Sequence, residues 1–265
     1  MNSKIKQILK KKNKNKIICL TSYSKNFSEI LDKFTDIILV GDSLGSVLYS
    51  FDTTKKVNLN MMIEHSKSVR QGIKKSLMVV DMPYNTYRNK SEALKNAKKI
   101  IKYSKADAIK VEGGKKIIKI INHLRKNKIN VMGHLGILPQ SQRGKFRYKG
   151  KTISERKNLI NDALLLQKSG VFSIVLECIE TNLAKRITKE LKIPTIGIGS
   201  SVNCDGQVLV TDDLIGLNLT SIKFVKSFSN IRKNIESAVK KFIKDVKNKK
   251  YPSSKFSYWY LSYFF

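Results

Sequence analysis

The chain predicts an α/β fold closed as a (β/α)8 TIM barrel, on three observations. First, six short apolar runs each end on a Gly or on a residue able to do chemistry. They are IILVGDS (37–43), LMVVDMP (77–83), AIKVEGG (108–114), NVMGHLG (130–136), FSIVLEC (172–178) and PTIGIGS (194–200). Continuous Val/Ile/Leu without polar alternation marks parallel strands covered by helices on their outer face. Second, helical periods lie between the runs, and strand–helix–strand repetition builds a parallel sheet with right-handed crossovers. Third, 265 residues suit one barrel, whose usual size is roughly 250 residues.

The elements follow in order. Residues 1–15 form a basic, Lys/Asn-rich segment with a short helix at Ile5–Lys10, and KIICLT (16–21) is the first strand. Ser91 reads as the N-cap of a helix with Leu94, Ala97 and Ile101 on one face. Thr152 and Glu155 have capping-box spacing ahead of Leu159, Ala163 and Leu166, and Gly170 ends that helix. KFVKSF (223–228) completes eight strands. Residues 230–247 place Ile231, Ile235, Ala238, Phe242 and Val246 on one stripe with Lys opposite. Eight strands favour a closed barrel over an open doubly wound sheet, and neither GxGxxG nor GxxxxGK[ST] is present. There is no internal repeat and no linker. One barrel domain over 1–265 is expected, with the basic segment 1–15 and an aromatic tail at 253–265.

Composition narrows the function classes. Apolar residues make up 41% of the chain, enough for a full core, yet no stretch reaches the roughly 18 apolar residues that span a bilayer. Residues 1–16 lack the apolar core of a secretory signal. Cys19, Cys178 and Cys204 form no CxxC pair, which suits a reduced, cytoplasmic protein without a membrane partner. The net charge of +32 invites a nucleic-acid reading. The excess, however, is almost all Lys and is spread from Lys4 to Lys255, as on a solvated surface, so no nucleic-acid partner is expected. The charge should favour solubility and oppose compaction through self-repulsion.

The chemistry lies at the strand ends. If all strands run the same way, Asp42, Asp81 and Glu112 converge at one mouth of the barrel. Carboxylates there repel by about 4 kcal/mol per close pair at an effective dielectric near 20. Either some are protonated or a divalent cation sits among them, and an all-oxygen set suits Mg2+ over zinc. The alternative is that each carboxylate caps a following helix. Lys110 lies two residues before Glu112 on one strand, so both face the same side. An ammonium inside the mouth would serve a substrate carboxylate. Glu177, after an apolar strand, reads as a general acid or base or as a structural ion pair with a loop Lys. His134 would orient a ligand oxygen or be a satisfied core histidine. Cys178 points away from Glu177's face and is not read as a nucleophile. His65 and His123 lie in helical patterns and receive no role.

At these residues the chain resembles the ketopantoate hydroxymethyltransferases. The matching motifs are LVGDSLG (39–45), DMPY (81–84), IKVEGG (109–114), GHLGILPQS (133–141), VLEC (175–178), IPTIGIGS (193–200) and DGQVLV (205–210), in the family's order over roughly residues 16–252. The resemblance implies a (β/α)8 barrel that moves a one-carbon unit from 5,10-methylenetetrahydrofolate, its co-substrate, to 3-methyl-2-oxobutanoate (2-oxoisovalerate). The product would be 2-dehydropantoate, on the route to pantothenate. It implies one Mg2+ per subunit, held directly or through water by Asp42, Asp81 and Glu112. It further implies that Asp42, Ser43, Asp81 and Lys110 contact the oxo acid, with His134 near its oxygens and Glu177 as catalytic base. A homo-oligomer, commonly a decamer, is part of the same implication.

Several positions depart from the family pattern. Thr21-Ser22-Tyr23-Ser24 stands where Thr-Ala-Tyr-Asp is usual, so a carboxylate is lost. Gly144-Lys145-Phe146 replaces Gly-Gly-Tyr in a shortened segment after Gln140. Thr211 replaces a His before Asp212, and FSYWYLSYFF (256–265) replaces a short polar ending. Relatives in the phosphoenolpyruvate mutase and isocitrate lyase group are the rival enzyme class, but their KKCGH-type loop is missing here.

Overall fold

The computed structural model describes residues 2–141, 147–218 and 222–258. Eight parallel strands close a barrel in chain order: β1 Ile17–Thr21, β2 Ile37–Val40, β3 Leu77–Asp81, β4 Ala108–Glu112, β5 Val131–Gly136, β6 Ser173–Glu177, β7 Thr195–Ile198 and β8 Gly206–Leu209. β8 pairs with β1, so Ile17 lies beside Gly206 and Leu20 beside Leu209, and no sheet edge is left open. The helices are α1 Ser3–Lys10, α2 Lys25–Leu31, α3 Leu44–Tyr49, α4 Leu59–Gly72, α5 Lys90–Ser104, α6 Ile118–Lys126, α7 Ile153–Lys168, α8 Thr181–Glu190, α9 Thr211–Leu214 and α10 Ile231–Lys247.

Two details differ from the sequence reading. The eighth stave is Gly206–Leu209, and residues 223–228 contain no strand. No helix separates β7 from β8; a turn closed by Cys204 N–H donating to Ser201 O makes the connection instead. Asp205 then pins the register by accepting from Thr195 N–H at 2.8 Å and from Lys12 Nζ at 2.8 Å. The cap of α5 is Asn89, whose side chain accepts from Glu92 N–H at 2.9 Å, two residues before the expected Ser91. Thr152 caps α7 as its spacing predicts, accepting from Glu155 N–H at 3.1 Å. Gly170, just beyond α7, has a φ of +83°.

Side-chain parity divides the core in two. Ile38, Val40, Met78, Val80, Ile109, Val111, Ile174 and Leu176 point outward and pack with helix residues such as Met62, Ile100, Leu124 and Leu166. Ile17, Cys19, Ile37, Leu39, Leu77, Val79, Ala108, Met132 and Val175 point inward. Ile5 and Ile8 of α1 join that inner cluster, so the N-terminal helix closes the floor of the barrel with apolar side chains. Polar residues are thereby concentrated at the opposite, C-terminal mouth.

Two compact units are formed, Met1–Thr211 with Ile222–Val225 and Asp212–Ser221 with Lys226–Phe265. The first holds the barrel. In the second, α10 is capped by Asn230, whose side chain accepts from Lys233 N–H, and Ile235, Phe242 and Val246 of its apolar stripe are exposed. Of the aromatic tail, Phe256 stacks near Tyr251, whereas residues 259–265 lie outside the described residues. Among the described residues, no helix is long and apolar enough to cross a membrane.

Candidate active site

Register sets the site. Asp81 at the end of β3 lies beside Lys110 of β4, Glu112 beside His134 of β5, and Gly136 beside Glu177 of β6. Because parity places alternate residues inward, Lys110 and Glu112 both enter the mouth, as their spacing predicts. Asp42 and Ser43 follow β2 on the turn that starts α3, whose N-cap is Ser43. Gly136 has a φ of +102°, and a Cβ there would lie 2.0 Å from the Glu177 carbonyl oxygen, so only glycine lets β5 pass β6 at this level.

The side chains make one continuous buried network. Lys110 Nζ lies 3.1 Å from Asp81 Oδ1, and Asp81 Oδ2 accepts from Asp42 N–H at 3.1 Å. His134 sits between two carboxylates, with Nδ1 3.3 Å from Glu112 Oε1 and Nε2 3.1 Å from Glu177 Oε2. These are ion-pair distances without hydrogen-bond alignment, since Asp81 Oδ1, Glu112 Oε1 and His134 Nε2 make no hydrogen bond. Ser43 Oγ is 2.8 Å from Tyr23 OH. Glu177 is the least buried member, with its side chain 16% exposed against 2% for His134.

Electrostatics follow from burial and crowding. Burial, then Asp81 and Glu112, push the Asp42 carboxyl up to about 8. Asp81 is also raised, by burial, although Lys110 opposes it. Burial would raise Glu112 as well, but His134 and Lys110 outweigh it and hold its pKa below the usual carboxylate range. Lys110 is raised despite burial, because Asp81, Glu112 and Asp42 surround it. Burial and Lys110 disfavour a charged His134, yet contacts with Glu112 and Glu177 bring it up to about 9. These two carboxylates favour the imidazolium form of the ring. Its Nδ1 stands 3.4 Å from Lys110 Nζ, and the flanking carboxylates offset that repulsion.

Three residues of this network escaped the sequence reading. Gln140 is the central one: its Nε2 donates to Asp42 Oδ2 at 2.7 Å and to Met82 O at 3.0 Å, and its backbone N–H donates to Glu112 Oε2 at 3.1 Å. Tyr87 OH donates to Gln140 Oε1 at 2.6 Å. Tyr23 holds Ser43 as described. Gln140 and Tyr23 lie inside motifs quoted above, whereas Tyr87 carries no sequence signal. His65 supports Tyr23 through Nδ1, 2.8 Å from its carbonyl oxygen, and Tyr49 OH lies 2.9 Å from His65 Nε2. Cys178 is buried and its thiol is pushed up to about 12 by burial and Glu177, so it is inert as a nucleophile.

Of the departures from the family pattern, Ser24 occupies the N-cap position of α2 without a side-chain capping bond. Thr211 joins the β8 end to the β1 end, with N–H donating to Thr21 Oγ1 at 3.1 Å and Oγ1 donating to Thr21 O at 2.5 Å. Gly144, Lys145 and Phe146 lie outside the described residues.

Hard oxygen donors left without hydrogen bonds, Asp81 Oδ1 and Glu112 Oε1, together with a carboxyl destabilised by its neighbours, fit a divalent cation. Among the described residues, no three His, Cys, Asp or Glu side chains form a ready-made metal cluster. Lys110 occupies part of the space between the carboxylates and supplies part of the positive charge they require.

Fold and site together define a (β/α)8-barrel enzyme with an ionisable, carboxylate-rich mouth. The chain belongs to the ketopantoate hydroxymethyltransferase family, whose model matches residues 2–254, and is thus a transferase. A relative from Pelagibacter ubique (strain HTCC1062), named 3-methyl-2-oxobutanoate hydroxymethyltransferase, is 67% identical over 97% of this chain and 100% of its own. A relative of the same name from Anaplasma marginale (strain St. Maries) is 43% identical over 96% of this chain and 92% of its own. Among solved structures, a phosphonopyruvate hydrolase aligns with a TM-score of 0.61 at 9% identity, covering 96% of this chain and 93% of that one. A 2,3-dimethylmalate lyase of the PEP mutase/isocitrate lyase superfamily aligns at 0.60 and 10%, with 96% and 93% coverage. At such identities the likeness is one of fold.

Proposed function

We propose that this enzyme transfers a hydroxymethyl group from 5,10-methylenetetrahydrofolate to 3-methyl-2-oxobutanoate, giving 2-dehydropantoate in the cytoplasm. The observation that carries the reading is the Glu177–His134–Glu112 row beside the Lys110–Asp81 pair. It sets a proton acceptor next to a cationic seat for a small oxo acid. Asp42, Asp81 and Glu112 would hold Mg2+, directly or through water. Bound there, Mg2+ supplies Lewis-acid polarisation of the keto oxygen, which acidifies the adjacent C3–H.

Lys110 and Ser43 orient the substrate carboxylate, and Tyr23 fixes the Ser43 hydroxyl that does so. Glu177, at the open edge of the site, takes the C3 proton, while His134 holds its carboxylate in place. The carbon left electron-rich forms a C–C bond to the donor's methylene carbon as one of that carbon's two bonds to nitrogen breaks. Water then replaces the second nitrogen on that carbon and supplies the hydroxyl oxygen, since the methylene donor carries none there. The two tetrahydrofolate nitrogens take up the C3 proton and the proton released by that water. Gln140 keeps Asp42 and Glu112 at fixed spacing throughout.

Incubation of the protein with 2-oxoisovalerate in D2O, followed by proton NMR, tests the reading. Mg2+-dependent loss of the C3 proton is expected. Glu177→Gln should abolish that exchange while oxo-acid binding persists. Exchange retained in the variant would remove Glu177 from proton transfer, and no exchange by the parent protein would overturn the enolisation step. Self-association is part of the same reading, because the exposed stripe of α10 is apolar area that a second copy can cover. A monomer mass of 30.2 kDa in light scattering would remove it.

A further inference from the structure

The helix that begins at Ser43 is fastened at both ends, and a histidine outside the catalytic network makes the far fastening. α3 spans only six residues, Leu44–Tyr49, with Ser43 as its N-cap and no side-chain capping bond. A helix so short gains little from its own backbone bonds, so outside contacts decide where it sits. At its start, Ser43 Oγ lies 2.8 Å from Tyr23 OH. At its end, Tyr49 OH lies 2.9 Å from His65 Nε2, with the two rings edge to face at 5.9 Å. His65 Nδ1 in turn lies 2.8 Å from the Tyr23 carbonyl oxygen.

These contacts close a ring. It runs from Ser43 along α3 to Tyr49, across to His65 on α4, on to Tyr23 after β1, and through the Tyr23 hydroxyl back to Ser43. A carbonyl oxygen only accepts, so His65 Nδ1 carries the proton that Tyr23 O receives. In the neutral imidazole Nε2 is then the acceptor, and the Tyr49 hydroxyl donates to it. With both nitrogens used, the plane of the ring is fixed as well as its place. α4 gives it a firm base, since Met62, Ile63, Ser66 and Val69 around His65 are buried. Ser68, three residues on, accepts from Lys25 N–H at 3.0 Å, so α4 holds the chain after β1 at two points. The His65 point is on Tyr23 itself.

We propose that His65 is a positioning residue for the oxo acid: by tying Tyr49 to Tyr23 it sets the Ser43 hydroxyl that meets the substrate carboxylate. The proposal rests on the reading above in which Ser43 orients that carboxylate. Tyr23 O–H donates to Ser43 Oγ, which leaves the serine proton for the substrate. His65 contacts Tyr23 and Tyr49 rather than the carboxylate network, so its loss acts on oxo-acid binding and spares the donor and the chemical step. An interaction equal in ground and transition states changes KM without changing kcat.

The test measures steady-state constants for 2-oxoisovalerate and for 5,10-methylenetetrahydrofolate with Mg2+, using the full chain and its variants. His65→Phe keeps a ring but loses both hydrogen bonds. It should raise the oxo-acid KM about fivefold and leave kcat and the donor KM within about twofold of the parent. His65→Asn puts an amide N–H where Nδ1–H stood and should recover most of that loss. Tyr49→Phe, at a residue already 44% exposed, should raise the same KM about twofold. In a Ser43→Ala background His65→Phe should have no further effect on the oxo-acid KM, because nothing is left to position. If His65→Phe folds poorly, Tyr49→Phe with and without Ser43 makes the same comparison. A parental oxo-acid KM in His65→Phe, an equal loss in the donor KM, or the same fold-loss with and without Ser43 would each overturn the proposal. A parental KM in Ser43→Ala alone would remove the Ser43 contact from the functional reading, and the proposal with it. If the parent turns nothing over, that reading fails separately, and calorimetric binding of 2-oxoisovalerate to the same variants decides the role of His65 by the same comparison.

Discussion

Gln140 shows how much one neutral side chain can organise among charged ones. Its amide spans Asp42, the Met82 carbonyl and Tyr87, and its backbone N–H reaches Glu112. Replacing it by Leu would keep approximate volume while taking the donor from Asp42 Oδ2 and the acceptor from the Tyr87 O–H, which would keep only the Glu112 N–H that it accepts from. Such orphaned groups cost about 1–3 kcal/mol, so Gln140→Leu should lose that much stability in urea titration. It should also raise the oxo-acid KM, because Asp42 and Glu112 would no longer be held at one spacing. Gln140→Glu would add a fifth carboxylate to a network that already holds Asp42, Asp81, Glu112 and Glu177, and is expected to be the worse of the two for turnover.

At the scale of elements, the β7–β8 seam is the least conventional part of the barrel. Two four-residue strands joined without a helix have few ladder bonds, and Asp205 compensates. It binds the Thr195 N–H, the Lys12 ammonium and the Asn13 N–H, so it also ties the floor helix α1 to the seam. The Lys12 and Asp205 side chains are only 9% and 3% exposed. Removing one member of a buried pair strands the other, at a cost of about 3 kcal/mol. Asp205→Ala should therefore lower stability by that order in chemical denaturation. If the seam is where opening begins, hydrogen exchange should speed up first in β7, β8 and α1. The alternating inward and outward rows, by contrast, were legible from the runs 37–43, 77–83 and 108–114, because period-two parity follows from strand geometry alone.

For the molecule as a whole, the crowded mouth makes stability depend on pH and on a cation. Asp42 is raised from 3.8 to about 8, and His134 from 6.5 to about 9. A group whose folded-state pKa is raised contributes its stability below its ordinary pKa and loses it as pH climbs through the raised one. Both groups thus act in the same direction. Glu112, held low, is ionised throughout this window and adds no slope. Metal-free protein should melt at a lower temperature near pH 9 than near pH 6, as read by scanning calorimetry with EDTA present. Added Mg2+ should raise Tm more at the higher pH, where the ionised carboxylates bind it best. A flat metal-free profile, or an Mg2+ effect independent of pH, would contradict the assignment of Asp42 to the cation.

Strand-forming runs, the polar residues that end them, and the choice of a closed barrel were all readable along the chain. They depend on local pattern: apolar continuity, side-chain parity and the turn residues that follow each run. The candidate residues Asp42, Asp81, Lys110, Glu112, His134 and Glu177 were found for the same reason, being polar within or just beyond the C-terminal ends of buried apolar strands. The true eighth stave, the Asn89 cap, the bridge made by Gln140, and the His65 tie between Tyr49 and Tyr23 were not. Each depends on which distant segments come within a few ångströms. Such proximity is set by the closing of the barrel and by the burial of unpaired polar groups, and no spacing in the chain encodes it.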